Sequence, residues 1–311
     1  MTLALSAEHE QLRAVVEQFA REEVAPVIGD YYRRGEFPLP LVRRMGEMGL
    51  FGLPIPEEHG GMGGDYLALC VAIEELARVD SSIAITLEAG VSLGAMPILR
   101  FGTPEQQALW LPRLAAGEIL GAFGLTESGS GSDAGSVRTT AAQDGDAWVI
   151  NGSKSFITNS GTEITGLVTV AARTGTRPDG RPEISAIIVP SGTPGFVVAP
   201  KYAKVGWDAS DTHELSFTDV RVPLANLLGE RGRGYAQFLS TLAEGRVAIA
   251  ALAAGLAQGC VDESVAYAAT RESFGRPIGA RQSIQFMIAD MQVRAHLSRL
   301  AWRQAAALMV A

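Results

Sequence analysis

The sequence is poor in cysteine, histidine and basic residues, and each scarcity excludes a class of protein. Cys70 and Cys260 lie far apart in apolar surroundings, which favours buried, reduced thiols and a cytoplasmic protein over a disulfide-stabilised one. The four histidines show no metal-ligand spacing, so we expect no metal site. The formal net charge of −8 leaves no basic stripe for phosphates, so we expect no nucleic-acid partner.

A secretion signal and long hydrophobic runs are also missing. The N-terminus has no succession of basic, apolar and cleavage-site residues typical of a signal peptide. The most apolar run, Val247–Leu256, is too short to cross a bilayer, so we expect no membrane partner. The 311 residues are 47% hydrophobic and 19% charged, which allows a large core and two or three domains.

The chain is organised around a glycine- and serine-rich stretch, Ala122–Asp133, with the sequence AFGLTESGSGSD. A short apolar strand leads there into small residues with unshielded backbone amides. Gly129, Gly131 and Gly135 permit positive φ and the close approach of a ligand. Such a turn presents amides to a phosphate or to a flat, hydrogen-bonding ring. An ordinary glycine-rich surface loop is the alternative interpretation.

The spacing of these glycines nearly matches a dinucleotide-binding fingerprint, which requires a helix directly after the glycines. Residues Val137–Lys154 are instead rich in Val and Thr around an Asp144-Gly145 turn. This pattern predicts a β-hairpin. The context therefore excludes the dinucleotide-binding interpretation.

The hydrophobic period divides the chain into three predicted domains. Residues 1–120 follow helical spacing, with a cap at Ser6, a helix end at Pro26 and a capping box that begins at Thr103. Residues 121–230 alternate like strands and predict a compact β domain, a barrel or a sandwich. Strands are expected over 121–126, 137–143, 147–150, 166–173, 184–189, 195–199 and 213–222.

Residues 231–311 return to helical spacing, so the predicted fold class is a multidomain α+β protein. One helix runs from about Tyr235 to Glu272, and its Ala and Gly residues would let a neighbouring helix approach closely. A last helix continues to Ala311 without a stop signal, and its wide apolar stripe requires further helices to cover it. We therefore expect an incomplete C-terminal bundle, in a chain that is truncated or lacks a last segment.

Four motifs point to a family. The segment that begins at Phe123 resembles the first flavin-binding segment of the acyl-CoA dehydrogenases, and NGSKSFITN from Asn151 resembles the second. DVRVP from Asp219 is similar to the end of their β domain, and Arg271-x-x-Phe-Gly, followed by Gln282, resembles the third flavin segment. The resemblance covers essentially the whole chain, and four motifs in the expected order are specific.

The resemblance implies a FAD-dependent oxidoreductase of fatty acid metabolism. In this family a carboxylate removes the α-proton of an acyl-CoA thioester, the β-hydrogen passes as hydride to flavin N5, and electron-transfer flavoprotein accepts the electrons. By analogy, Phe156 packs on the flavin ring, although an ordinary core position is the alternative for this residue. Thr158 would bond near N5. The residues that the resemblance assigns to the flavin in the first two segments are Phe123, Leu125, Thr126, Gly131, Ser132, Phe156, Ile157 and Thr158.

The third segment implies a homo-oligomer, specifically a homotetramer. Arg271 would meet the flavin pyrophosphate, because a bidentate guanidinium suits phosphate oxygens; a solvated cation at a helix end is the alternative. In the family this arginine and the equivalent of Gln282 reach a flavin held by a neighbouring subunit. Phe274 belongs to the same cofactor-binding segment.

The resemblance also implies substrate contacts. Ser132 would approach the pantetheine arm, and Arg246 matches an arginine near CoA. Glu88 matches a position on the floor of the acyl cavity in medium-chain members, although an exposed helical glutamate is an equally good account. The family often has an aspartate three residues before this arginine, whereas this chain has Ala243.

The catalytic base is the main departure from the family pattern. Most members carry it in a later helical segment, which would lie beyond Ala311, and a minority carry it immediately before the arginine matched by Arg246. That position is Gly245, and Glu244 lies roughly 100° away around a helix, so it should point elsewhere. We therefore expect no catalytic base in this sequence. Three functions stay open: a dehydrogenase, an acyl-CoA oxidase or flavin monooxygenase of the same fold, and a non-catalytic flavin- or CoA-binding subunit.

Overall fold

The computed structural model describes residues 4–310, so Ala311 at the end of the predicted last helix lies outside it. The described chain divides into two compact units. The helical unit contains the residues up to Asp30, Asp65–Ile85 and those from Arg246 onward. The sheet unit contains Tyr31–Gly64 and Thr86–Gly245. The division into three consecutive domains stays a prediction.

Two helices begin at the capping residues that the sequence predicts. Ser6 accepts a hydrogen bond from the His9 amide, and Thr103 forms the predicted capping box with Gln106. The helices are α1 (Ala7–Phe19), α2 (Ala25–Arg34), α3 (Leu39–Glu47), α4 (Tyr66–Val79), α5 (Ser81–Glu88), α6 (Met96–Phe101), α7 (Pro104–Ala115), α8 (Gly234–Thr270) and α9 (Gln282–Val310).

The predicted helix end at Pro26 is wrong. A π-helical turn, Ala20–Val24, links α1 directly to α2, which continues to Arg34. The π turn interrupts the regular i→i−4 hydrogen bonds just before the proline ring, and the ring then lies in the first turn of α2, where its missing amide is tolerated.

The sheet unit is built on one eight-stranded sheet. Its strands are β1 (Leu120–Gly124), β2 (Thr140–Asp144), β3 (Ala147–Thr158), β4 (Thr165–Thr176), β5 (Pro182–Pro190), β6 (Phe196–Val198), β7 (Thr212–Pro223) and β8 (Leu227–Leu228), and β9 (Glu272–Ser273) and β10 (Arg276–Pro277) form a separate two-stranded pair. The strand order in the sheet is β6-β7-β3-β2-β4-β5-β8, and β1 pairs in parallel with β4. The antiparallel pair β2–β3 confirms the predicted hairpin and its turn.

Two apolar clusters form the core of the sheet unit. One joins strand residues such as Ile188 to Ile98 of α6 and Leu111 of α7. The other lies among the strands and includes Trp148 and Val170. Helical N-terminal segments, a central sheet and C-terminal helices together confirm the predicted α+β fold class.

In the helical unit, small residues of α8 let α4 approach closely. A Cβ added at Gly255 would lie 2.1 Å from the carbonyl oxygen of Glu74, and one at Gly259 would lie 2.2 Å from that of Arg78. This confirms the close approach predicted for the Ala- and Gly-rich helix. Cys260, one residue further around the helix, is exposed, which corrects the expectation of two buried thiols; Cys70 is buried.

Two helical stretches, Ser81–Phe101 and Gly234–Thr270, are long and apolar enough to cross a membrane by length and composition alone. The apolar window is 89% buried in the first and 39% buried in the second. Core helices of proteins without a membrane span pass the same test, so the finding is weak evidence for a span.

Candidate active site

The glycine- and serine-rich stretch forms a closed turn directly after β1. The backbone groups of Glu127 and Ser130 exchange hydrogen bonds of 3.0 and 3.1 Å, and the Ser130 hydroxyl donates to the Asp133 carbonyl at 2.7 Å. Gly131 and Ser132, which follow, are exposed. A Cβ added at Gly131 would meet nothing within 4 Å. The turn therefore presents open backbone to a ligand.

The three glycines of this stretch do not use the positive φ that glycine permits. None of Gly129, Gly131 and Gly135 adopts a positive φ. The two backbone hydrogen bonds between Glu127 and Ser130 close the turn without one, so the small size of these residues leaves backbone accessible rather than permitting an unusual conformation.

A buried ion pair ties this turn to β3. The Lys154 ammonium, which is 0% exposed, donates to Glu127 Oε1 at 2.7 Å and to the Leu125 carbonyl at 3.2 Å. Glu127 also accepts from the backbone amides of Arg138 and Thr139, at 2.7 and 3.0 Å, and from the Thr139 hydroxyl at 2.7 Å. One carboxylate therefore organises the turn and the start of the hairpin.

The pKa values of this pair follow from its burial and its contacts. Burial lowers the pKa of Lys154 to about 8, against the opposing effect of the Glu127 carboxylate. Burial alone would raise the pKa of Glu127, but the Lys154 ammonium and the Thr139 hydrogen bonds outweigh it and hold this pKa below its usual value.

The segment that resembles the second flavin-binding segment of the family lies at a bulge in β3. The register between β3 and β7 shifts between Lys154 and Ile157, and Phe156 there has a φ of 61°. Bulges commonly redirect a side chain beside a functional site. The Phe156 ring is 66% exposed and stacks on Tyr202 with centroids 5.0 Å apart. The alternative of a core position for Phe156 is therefore wrong.

The other predicted flavin residues of the sheet unit differ in accessibility. The Ile157 side chain is buried in the strand core, so only its backbone can contact a cofactor. Phe123 packs on Phe238 with ring centroids 4.4 Å apart, and Leu125 is buried. The hydroxyl-bearing residues Thr126 and Thr158 are half-buried.

A backbone hydrogen bond joins the two segments that resemble flavin-binding segments. The Ser155 amide donates to the Thr126 carbonyl at 2.9 Å, directly before the bulge at Phe156. The open backbone after Thr126 and the exposed Phe156 ring therefore belong to one continuous part of the sheet unit.

Glu88 is a buried carboxyl group at the end of α5. It is 2% exposed, so the alternative of an exposed helical glutamate is wrong. Burial raises its pKa to about 8, partly offset by a hydrogen bond with Ser92. A Cβ added at Gly245 would lie 3.2 Å from Glu88 Oε1. Glu244 instead forms an ion pair with Arg100, as expected for a side chain that points elsewhere.

The third segment and Arg246 lie in the helical unit, and the side chains of Arg246, Arg271, Phe274 and Gln282 are all exposed. Phe274 has a φ of 53° and lies in the turn between β9 and β10, with the Arg281 guanidinium 5.2 Å from its ring centroid. The exposed Arg271 fits both the predicted phosphate contact and the solvated alternative. Within residues 4–310, no group of three or more His, Cys, Asp or Glu side chains is placed to hold a metal ion.

Sequence reasoning missed several residues that build this site. Tyr202 lies outside every motif, and no local signal indicates that it stacks on Phe156. Lys154 lies inside the second motif without an assigned role, although a lysine in a strand of otherwise apolar and small residues was a usable signal. His213 was considered only as a metal ligand.

Comparison with known proteins now identifies the family. The chain matches the models of the acyl-CoA dehydrogenase N-terminal domain over residues 6–118, the middle domain over residues 122–220 and the C-terminal domain over residues 232–311. The chain belongs to the acyl-CoA dehydrogenase family, and the predicted enzyme class is confirmed.

Individual relatives agree with this assignment. A probable acyl-CoA dehydrogenase of Bacillus subtilis is 47% identical over 299 residues, which cover 96% of this chain and 78% of that protein. The structure of butyryl-CoA dehydrogenase from Megasphaera elsdenii matches with a TM-score of 0.94 and 38% identity, over 99% of this chain and 80% of that one. A chain from structural work on the electron transferring flavoprotein of Acidaminococcus fermentans and on flavin-based electron bifurcation matches with a TM-score of 0.95 and 40% identity, at the same coverage.

Proposed function

We propose that this acyl-CoA dehydrogenase uses FAD, acts on short-chain acyl-CoA thioesters and passes electrons to an electron-transfer flavoprotein. The observation that carries the proposal is the pairing of two segments of the sheet unit through the Ser155–Thr126 hydrogen bond, one with the exposed Phe156 ring and the other with the open backbone of Gly131. The butyryl-CoA dehydrogenase of Megasphaera supports a short acyl chain, and the similar chain from the work on the Acidaminococcus electron transferring flavoprotein supports the electron acceptor.

The residues of the sheet unit fit a flavin ring. An aromatic face stacks well on a flat ring system, and Phe156 offers one to solvent. Thr126 and Thr158 bring hydroxyl groups that can bond to the edge of such a ring. FAD, when bound, supplies the acceptor for the hydride that leaves the substrate β-carbon.

The chain's own groups would then bind and orient the substrate. Ser132 lies on the exposed part of the turn and can donate to the thioester arm. The Glu88 carboxyl stays protonated at neutral pH because its pKa is about 8, and a neutral acid suits a neighbouring acyl chain better than a carboxylate. We do not assign the proton-abstracting base to Glu244, because its carboxylate is held by Arg100.

The reaction is tested without oxygen by adding FAD and butyryl-CoA to the protein expressed from its complete gene, because we expect the proton-abstracting base to lie beyond Ala311. We expect a yellow protein whose visible flavin band bleaches with butyryl-CoA and returns on addition of electron-transfer flavoprotein. Rapid return with dioxygen alone would instead indicate an oxidase. A preparation that binds FAD but bleaches with no acyl-CoA would overturn the proposed reaction, and one that refuses FAD would overturn the cofactor.

Replacement of Phe156 by alanine tests the ring contact. We expect FAD affinity to fall about threefold to tenfold, because stacking contributes ~0.5–1.5 kcal/mol beyond area burial. Fluorescence titration with FAD measures the change. Leu109→Ala is the matched control, since Leu109 is an exposed apolar residue of α7 outside every motif. Equal affinities of Phe156→Ala and the control would remove Phe156 from the cofactor site.

We also propose that the protein assembles as a homotetramer. Large apolar side chains are exposed along the last helix, including Phe286, Met287 and Leu297. A second copy of the chain is the partner that the resemblance implies for this region. Light scattering on the purified protein should give the mass of four chains, whereas a monomeric mass at micromolar concentration would reject the assembly.

A further inference from the structure

The segment that carries Phe156 is held in an unusual backbone conformation. Phe156 and Asn159 have φ values of 61° and 60°, and neither is glycine. Asparagine adopts the left-handed region readily, but a bulky residue such as Phe156 keeps it only where the surrounding structure holds it in place. The groups that hold this segment are therefore of functional interest.

The segment is held by Asp211 and by the start of β7. The Asp211 carbonyl accepts from the Asn159 amide at 3.3 Å, and Asp211 Oδ2 accepts from the Gly161 amide at 2.8 Å. Ile157 and Thr158 pair with His213 and Thr212 in the sheet. One carboxylate and one strand end thus fix the chain on the C-terminal side of Phe156.

The histidine that faces this carboxylate is placed between two acceptors. His213 Nε2 lies 2.6 Å from Asp211 Oδ1, and His213 Nδ1 lies 2.6 Å from the Ala199 carbonyl oxygen. A neutral imidazole carries one N–H and can donate to only one of them. The geometry therefore favours a doubly protonated imidazolium, which donates to both acceptors.

The surroundings favour this charged state. The Asp211 hydrogen bond raises the pKa of His213, which outweighs the lowering effect of burial, and the Ala199 carbonyl raises it further. Lys201, whose charge lowers the His213 pKa, lies with Lys204 and Asp208 on the adjoining loop. Lys201 donates to the Asp208 carbonyl, and Lys204 donates to Thr212 Oγ1 at 2.7 Å. The β3 side contributes the uncharged residues Ile157 and Gly161.

The imidazole ring of His213 packs directly against the backbone of Gly161. A Cβ added at Gly161 would lie 2.4 Å from His213 Nε2. Only glycine leaves room there for the ring to reach Asp211. The imidazolium, the carboxylate and the Gly161 amide therefore form one packed unit.

We propose that the Asp211–His213 ion pair positions the segment Phe156–Thr158 for the flavin ring, and that loss of the His213 proton releases this segment. The inference rests on the proposed function, since it assumes that FAD binds at Phe156. After deprotonation, one ring nitrogen faces an acceptor without a hydrogen between them, and the contacts of Asp211 with Asn159 and Gly161 weaken.

The sign of the pH dependence follows from the direction of the pKa shift. The contribution of the pair is complete below the usual histidine pKa of 6.5 and is lost as the pH rises through the raised pKa of folded His213. We therefore expect FAD affinity to fall about fivefold to tenfold across that alkaline step, as befits the loss of a hydrogen bond to a charged group.

Two variants of His213 test the proposal. His213→Gln cannot carry the charge, so it should bind FAD about fivefold to tenfold more weakly at low pH and without the alkaline step. His213→Arg keeps a permanent positive charge, and its guanidinium can donate to both Asp211 and Ala199. This variant should therefore recover much of the FAD affinity and should also lack the alkaline step. The absorption and circular dichroism spectra of bound flavin should change in His213→Gln and recover in His213→Arg.

Three measurements separate the possible failures. NMR titration of the flavin-free protein, which has only four histidines, reads the His213 pKa directly, and Asp211→Asn should lower it. FAD binding by the wild-type chain reads the proposed function alone. If the wild type binds FAD and His213→Gln binds it with the same affinity, spectrum and pH profile, the positioning role is wrong. If His213→Gln does not fold, Asp211→Asn carries the same comparison.

Discussion

Replacement of Lys154 by methionine is expected to lower the free energy of unfolding by about 3–5 kcal/mol, the usual cost of removing one partner of a buried ion pair. The Glu127 carboxylate would then stay buried without its cation, although it would keep the amide and hydroxyl hydrogen bonds of Thr139. Chemical denaturation of the wild type and the variant measures the loss. Flavin binding should weaken as well, because Glu127 closes the turn that presents Gly131.

The matched control for Lys154→Met is Arg221→Met. The Arg221 guanidinium lies 2.7 Å from Asp144 Oδ2 in the same sheet, which equals the distance from Lys154 Nζ to Glu127 Oε1. The side chains of Arg221 and Asp144 are, however, more than half exposed. An exposed pair contributes about 0–1 kcal/mol. A loss in Lys154→Met no larger than that in Arg221→Met would show that burial of the pair has no energetic consequence.

A double variant separates the ion pair from the packing of its members. In Lys154→Met with Glu127→Gln, the buried negative charge is gone while an acceptor remains for the Thr139 groups. The combined loss should be smaller than the sum of the two single losses, since the partners are in direct contact. Additive losses would mean that the two charges act independently.

Replacement of Glu88 by glutamine is expected to stabilise the protein at pH 8. Burial raises the pKa of Glu88 from 4.5 to about 8. The unfolded chain therefore loses this proton near pH 4.5 and the folded chain keeps it to about pH 8, so wild-type stability falls as the pH rises between these values. The full effect is on the order of 4–5 kcal/mol, since each pKa unit corresponds to ~1.4 kcal/mol.

The pH profile of unfolding provides the measurement for Glu88. Glu88→Gln and wild type should have similar stability below about pH 4.5 and should diverge progressively above it. Glu47→Gln is the control, because Glu47 is exposed on α3, where its carboxylate forms an ion pair with Arg44. Parallel profiles for Glu88→Gln and wild type would show that the Glu88 carboxyl ionises in the folded protein as readily as in the unfolded chain.

Much of the fold followed from local patterns. The hairpin after the glycine-rich turn was predictable because alternation and an Asp-Gly turn act over a few residues. The end of the first helix was not predictable, because a π-helical turn continues the helix past Pro26 and residue propensities do not predict such turns. The exposure of Cys260 depended on which face of α8 meets α4, which its own apolar neighbours in sequence did not reveal.

The candidate site shows the same division. The motifs placed Thr126, Phe156 and Thr158 together because both segments lie in consecutive parts of one β region. They could not reveal Tyr202 beside Phe156, or the two acceptors around His213, because these contacts join residues that lie dozens of positions apart or on an irregular loop. Glu88 was weighed as an exposed residue because helical position alone does not show burial.

The sequence by itself determined the family, the order of helical and strand regions and the segments proposed to face a flavin, since motif residues and hydrophobic periods are local properties of the chain. Only the tertiary structure decided which ionisable groups are buried: Lys154 with Glu127, Glu88 beside Gly245, and His213 between Asp211 and Ala199. The physical reason is that the energy of a charge depends on the solvent it loses and the partners it gains, and both are supplied by residues distant in the sequence.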